Sequence, residues 1–145
     1  MAIWREDPTV EGLNQRMVTC MVAHLGMKFT EIGDDYIKAS MPVDKRTTQP
    51  VGILHGGASV ALAETLGSVA ANLVIDGEKY YGVGLDVNSN HIKQATSGKV
   101  IGVTRPIHIG RTTHVWEIKI YNEEEQLVNI SRLTMAIILK EGVKH

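Results

Sequence analysis

A chain of 145 residues, 43% hydrophobic and 21% charged, suits one domain (1–145) with a sizeable core. Its net charge of −1 gives no electrostatic footprint for nucleic acid or an anionic membrane, and its one Phe offers no aromatic platform for bases. A single cysteine, Cys20, excludes an internal disulfide and fits the reducing cytoplasm.

The opening "MAIWREDPTVEG" has early acids and a proline but no apolar h-region, so no signal peptide is expected. The first element reads as a helix over "TVEGLNQRMVTCMVAHLG". It has Thr9 or Pro8 at its start, Leu13, Met17, Val18, Met21 and Val22 at helical spacing, and Gly26 as the stop. "MKFTEI" and "DYIKASMPV" follow as strands joined by the turn "GDD", and residues 44–54 read as a loop. Residues 57 to about 75 form one long helix, stopped by Asp76-Gly77. Its length nears a membrane span, but its Gly, Ala and Ser content and Glu64 mark it as a core helix.

Four strands come next. "YGVGLDVNSNHIK" alternates Val83, Leu85 and Val87, and "KVIGVTRPIHI" alternates Ile101, Val103, Ile107 and Ile109. "HVWEIKIY" puts Trp116, Ile118 and Ile120 on one face, and "QLVNISRLTMAIIL" closes the set. Turns at "TSG", "GR" and "NEEEQ" predict three consecutive hairpins in an antiparallel meander. The expected fold class is α+β, with an antiparallel sheet wrapped around one long central helix. That helix is apolar all round, and one sheet covers only one side. Its small residues, Gly57, Ala58, Ala61, Ala63, Gly67, Ala70 and Ala71, predict close approach to a second copy, hence a homodimer at least.

Between Arg46 and Asp76 the only Asp, Glu, Lys or Arg is Glu64. A buried carboxylate is costly unless it is paired. One reading is a structural acid bonded to Ser68; the other is a general base or nucleophile in a pocket. "HGG" at 55–57 leaves backbone N–H groups at the positive end of the helix, suited to an anion or a developing oxyanion. From His55 to Glu64 the helix rises about 13 Å. One chain's HGG and Glu64 therefore cannot meet at one carbonyl, and a common site requires two subunits. Gln49 on the preceding loop becomes a positioning candidate, with Thr65 and Ser68 near the acid.

Other constellations are weaker. Cys20 and His24 are spaced i, i+4, but a nucleophile pair there lacks a third group and an oxyanion site. The six His show no metal-ligand spacing, no CxxC or HExxH occurs, and "GVG" at 82–84 is no nucleotide fingerprint, so neither metal nor separate cofactor is expected.

"QPVGILHGGASVALAETLGSVA" resembles the active-site segment of hotdog-fold acyl-CoA thioesterases. Further matches are "IGDDYIKASMPVDKRTTQP", "GLDVNSNHIK", "RPIHIGRTTHVWEIKIY" and "SRLTMAII", covering nearly the whole chain. The branch is similar to phenylacetyl-CoA-type thioesterases and 1,4-dihydroxy-2-naphthoyl-CoA hydrolases of menaquinone biosynthesis. The resemblance implies a hotdog fold, a dimer often paired into a homotetramer, and metal-free hydrolysis of an aromatic acyl-CoA whose CoA belongs to the substrate. It implies Glu64 as nucleophile or general base, Gln49 and His55 as groups that position or polarise the thioester, and Gly56 as backbone donor to its oxygen. Ser68 then sits near the reacting end. Coenzyme A is expected along Gly84, along His91, Ile92, Lys93 and Gln94, and along His108, Ile109, Gly110, Arg111, Thr112 and Thr113. Lys93 and Arg111 are suited to phosphates. Rival readings are a hotdog enoyl-thioester hydratase or dehydratase, which the lack of a "GHFP"-like segment disfavours, and a non-catalytic CoA-binding module.

Overall fold

The computed structural model describes residues 1–143. Chain order is α1 (Val10–Arg16), α2 (Met21–His24), β1 (Lys28–Ile32), β2 (Ile37–Pro42), α3 (Gly56–Leu73), β3 (Tyr80–His91), β4 (Lys99–Ile109), β5 (Thr113–Tyr121) and β6 (Leu127–Leu139). The six strands form one antiparallel sheet in the order β1-β2-β4-β5-β6-β3, and it wraps around α3 as expected.

Side-chain size explains how the helix settles on the sheet. Trp116, Ile118 and Ile120 of β5 are fully buried beneath α3, as their alternation predicts. Leu62 and Leu66 of α3 come down onto Gly102 of β4, where a Cβ would lie 2.5 Å from Leu66 Cδ1. A glycine there lets the helix descend and fill the core from above.

Three expectations need correction. The first helix is two short ones, broken at residues 17–20. The break lets Met17, Val22 and Leu25 pack on the core while Val18 and Met21 face outward, 67% and 60% exposed. Thr9 caps α1 by accepting from the Gly12 N–H, and Gly26 ends the segment at φ +71°. Cys20 directs its thiol to Met17 O at 3.5 Å, not to His24.

The second correction concerns topology. β4, β5 and β6 form a meander, but β3 pairs with β6 rather than β4. The inward polar residues Ser89 and His91 stand opposite Ser131 and Asn129 in the β3–β6 register, which satisfies all four. β4 offers Val100, Gly102 and Thr104 on its inward face and could not. Residues 92–98 instead cross to the β2 side, held by Leu54 N–H to Ala95 O (2.8 Å) and Val43 N–H to Gly98 O (2.9 Å).

The third concerns strand phase. A bulge at Leu85 puts Val83 and Val87 on opposite faces, and the inward face of β3 becomes Gly82, Gly84, Val87, Ser89 and His91. In β4 the inward set is Val100, Gly102 and Thr104, while Ile107 and Ile109 are exposed. Among the described residues no helix is long and apolar enough to cross a membrane.

Candidate active site

The loop that carries Gln49 is rigid. Thr47, buried, bonds through its hydroxyl to Pro42 O at 2.6 Å, and the Arg46 backbone and side chain donate to Asp44. Those bonds hold the Asp44 carboxyl down to about 2. A Thr48–Leu54 bridge closes the loop, with Gly52 at φ +88°, and the side-chain Oε1 of Gln49 accepts from the Val51 N–H. His55 then caps α3: its Nδ1 accepts from the Gly57 N–H at 2.8 Å, so a neutral ring carries its proton on Nε2. Ala58 and Ser59 donate to the His55 carbonyl. Of the first N–H groups of the helix only that of Gly56 has no acceptor among the described residues.

The two glycines have separate reasons. A Cβ on Gly56 would lie 2.8 Å from Nε2 of His91, and one on Gly57 would lie 3.0 Å from the ring of His55. Gly56 is thus the floor on which the β3 histidine rests. Gln49, Gly56, Ser59, His91, Lys93 and Gln94 line a cleft of about 450 Å³, which Ile92 also borders. His55 does not border it; its ring is exposed beside the cap.

Glu64 is not buried in this chain, contrary to the expectation of an apolar helix. It lies on an open stripe with Gly57, Val60, Ser68 and Asn72, spaced close to one turn apart and all exposed or half-buried. The carboxylate stands over β3, where a Cβ on Gly84 would lie 2.5 Å from Glu64 Oε1. No hydrogen bond joins it to Ser68 or Thr65 among the described residues; Thr65 returns its hydroxyl to Ala61 O at 2.7 Å. The structural-acid reading therefore has no partner in the single chain.

Two half-sites result. At one end of β3 are Gly56 and the segment His91–Gln94. At the other are Glu64 and Gly84. The turn at His108, Ile109, Gly110, Arg111, Thr112 and Thr113 belongs to this second end, because Ile109, His114, Met135 and Gly84 are in register across four strands. One chain keeps the halves apart. Both face the free edge of β3, on which Tyr81, Val83 and Leu85 are 42%, 38% and 65% exposed. Asn129, Ser131 and Ser89, which hold His91, are absent from the sequence-level candidates. Their signal was polar residues at inward strand positions, "SNH" facing "NIS". Among the described residues no three His, Cys, Asp or Glu side chains gather as a metal ion would require.

Beneath the second end His114 is buried, with Nδ1 unpartnered among the described residues. Burial pushes its pKa below 6.5; the Gly110 carbonyl opposes this and nearby His108 adds to it. The folded chain thus refuses a proton that the unfolded chain accepts. Its contribution to stability is complete above the unfolded value and is lost as pH falls through the folded one. Urea unfolding should show stability declining as pH falls below the ordinary imidazole value of 6.5, and His114→Phe should flatten that decline. An equal slope in the variant would refute the role of His114.

Residues 51–129 match the thioesterase superfamily. The chain is 49% identical over 136 residues to the 1,4-dihydroxy-2-naphthoyl-CoA hydrolase of Escherichia coli, covering 94% of this chain and 99% of that protein. It is 48% identical over 137 residues to the proofreading thioesterase EntH of Cronobacter sakazakii, covering 94% and 98%. The crystal structure of a thioesterase from Haemophilus influenzae superposes with a TM-score of 0.93 at 47% identity, covering 99% of both chains.

Proposed function

The chain belongs to the thioesterase superfamily and is a thioester hydrolase, and from that premise we propose that its substrates are aromatic acyl-CoAs, 1,4-dihydroxy-2-naphthoyl-CoA of menaquinone biosynthesis among them. The relative that carries that substrate in its name supports the acyl class. The observation that carries the site is the pair of half-sites at opposite ends of one open edge strand. A two-fold axis at Asn88 pairs two β3 strands antiparallel. Counting outward, with Leu85 taken up by the bulge, Gly84 of one copy then lies opposite His91 of the other. Glu64 from one chain thereby faces Gly56 from the other.

In this site the Gly56 N–H, at the positive end of α3, holds the thioester oxygen and the negative charge that develops there. Gln49 orients the carbonyl from its rigid loop, and His55 supports the reaction by fixing the first turn of the helix. Glu64 attacks the carbonyl carbon or takes a proton from the attacking water. By either route the C–S bond breaks, CoA leaves as the thiol and the acyl group leaves as a carboxylate. Ser68, one turn beyond Glu64, lines the reacting end. Lys93 and Arg111 meet CoA phosphates from the two half-sites, and no separate cofactor takes part. The proposed assembly is a homodimer paired into a homotetramer, the second contact using the outer face of the sheet, where Ile107 and Ile138 are exposed. The proposed location is the cytoplasm, which suits the free thiol of Cys20 and a CoA substrate.

The test is a thiol-release screen of aromatic, short-chain and long-chain acyl-CoAs. Aromatic substrates should exceed the others by about tenfold or more in kcat/KM. A preference for long chains overturns the acyl assignment, and hydration of crotonyl-CoA without free thiol overturns the reaction.

A further inference from the structure

We infer that Asn129 is a positioning residue that, with Ser89 and Ser131, holds His91 with its proton on Nε2, so that this N–H stands beside the Gly56 N–H as a second donor to the thioester oxygen. The inference rests on the hydrolase reading above and adds to it a residue outside the cleft wall.

The hydrogen bonds close into a ring. Asn129, with no exposed surface, donates from Nδ2 to Ser89 Oγ at 2.7 Å. Ser131, also buried, donates to Asn129 Oδ1 at 2.7 Å. The two serine oxygens are 2.9 Å apart. A hydroxyl has one proton to give, and that of Ser131 is spent on Asn129, so Ser89 supplies the proton between them. Each member of the ring then gives one proton and takes one. The amide has a second N–H, and His91 Nδ1 lies 3.1 Å from Nδ2. An amide nitrogen only donates, so Nδ1 must accept and the ring proton of neutral His91 sits on Nε2.

Nε2 is the atom that rests on Gly56: a Cβ there would come within 2.8 Å of it. His91 and Gly56 line the same cleft, and the Gly56 N–H is the free donor of the helix start. Two donors from different elements, a helix N-terminus and an edge strand, thus flank one point. The strand register that pairs His91 with Asn129 and Ser89 with Ser131 fixes the second of them.

The experiment uses the full-length protein labelled with ¹⁵N-histidine, at a pH well above the ordinary imidazole range. Long-range ¹H–¹⁵N spectra, with the His91 signals assigned from His91→Phe, should show the proton on Nε2. In Asn129→Asp the amide donor becomes an acceptor, so the proton should move to Nδ1. The kcat for an aromatic acyl-CoA should then fall about ten- to a hundredfold with KM little changed, since one oxyanion donor is withdrawn. His91→Phe keeps a ring on Gly56 without the donor and should show the same fall, which covers the case of an Asn129 variant that does not fold. Glu64→Ala should lose activity and leave the His91 signals unchanged. A wild-type His91 protonated on Nδ1 overturns the inference, as does full kcat in a folded His91→Phe variant. Full activity in Glu64→Ala would instead overturn the assigned role of Glu64 and leave the state of His91 to stand on its own spectrum.

Discussion

Glu64→Ala abolishes thiol release from every acyl-CoA while the protein remains folded and assembled. The expected loss is about 10³-fold or more in kcat, since the group is either the attacking nucleophile or the base that makes one. Stability should change little. In the single chain Glu64 is exposed, has no bond to Ser68 or Thr65, and lies in the middle of α3, where Ala is the better helix former. That separation gives the test its force: a collapse of activity without a collapse of structure points to chemistry. Near-wild-type turnover would remove Glu64 from the mechanism. A single turnover in heavy-oxygen water then separates the two chemistries, because a nucleophilic carboxylate acquires the label and a base does not.

Two inactive variants should restore activity when combined. Gly56→Val drives a side chain into His91, whose Nε2 would be 2.8 Å from the new Cβ, and so closes the donor end of the site. Alone, it and Glu64→Ala should each be inactive. A mixed dimer places the intact Gly56 of one chain opposite the intact Glu64 of the other, giving one good site of two. Random pairing makes half the dimers mixed, so about one quarter of wild-type activity should return on co-expression. A site contained within one chain predicts no recovery, and that result would refute the two-fold arrangement. The expectation follows from distance: eight residues of helix separate Gly56 from Glu64, a rise of about 12 Å, too far for one carbonyl to touch both.

Much of this was readable before any fold was known, but unevenly. The long helix and the inward face of β5 followed from local patterning, which depends on neighbours in sequence. The proposal that two chains share one site follows from helix rise alone. Strand order did not, since short turns suggested that neighbours in sequence pair, whereas the polar pairs Ser89–Ser131 and His91–Asn129 draw β3 to β6. The phase of β3 was hidden by the Leu85 bulge, which leaves no mark in an alternating "VGLDV". The burial of Glu64 was misjudged for a related reason. Of the small residues of α3 named for approach to a second copy, Ala58, Ala63, Gly67, Ala70 and Ala71 are instead buried against this chain's own sheet, and the polar stripe Glu64, Ser68 and Asn72 stands on the open side. Asn129 went unnoticed because a buried amide is revealed only by the register that gives it partners.

A sheet has two ends to its row of strands, and here they are unequal. At β1 the outward N–H and carbonyl of Phe29 are clasped by one side chain, Asn14, whose Oδ1 accepts at 2.9 Å and whose Nδ2 donates at 3.0 Å. At the other end Asn72 clasps Gly82 of β3 in the same way, its Oδ1 accepting at 2.8 Å and its Nδ2 donating at 3.3 Å, but the stretch from Val83 to His91 carries no such cover among the described residues. Strand addition therefore has room along β3 and none on the short, clasped β1. Copies of a chain with two free margins would add on without limit into a fibre. With one margin occupied by its own asparagine, strand addition would end after the proposed β3–β3 pairing, so that Asn14, far from any chemistry, would leave only the outer face of the sheet for the second contact of the proposed tetramer.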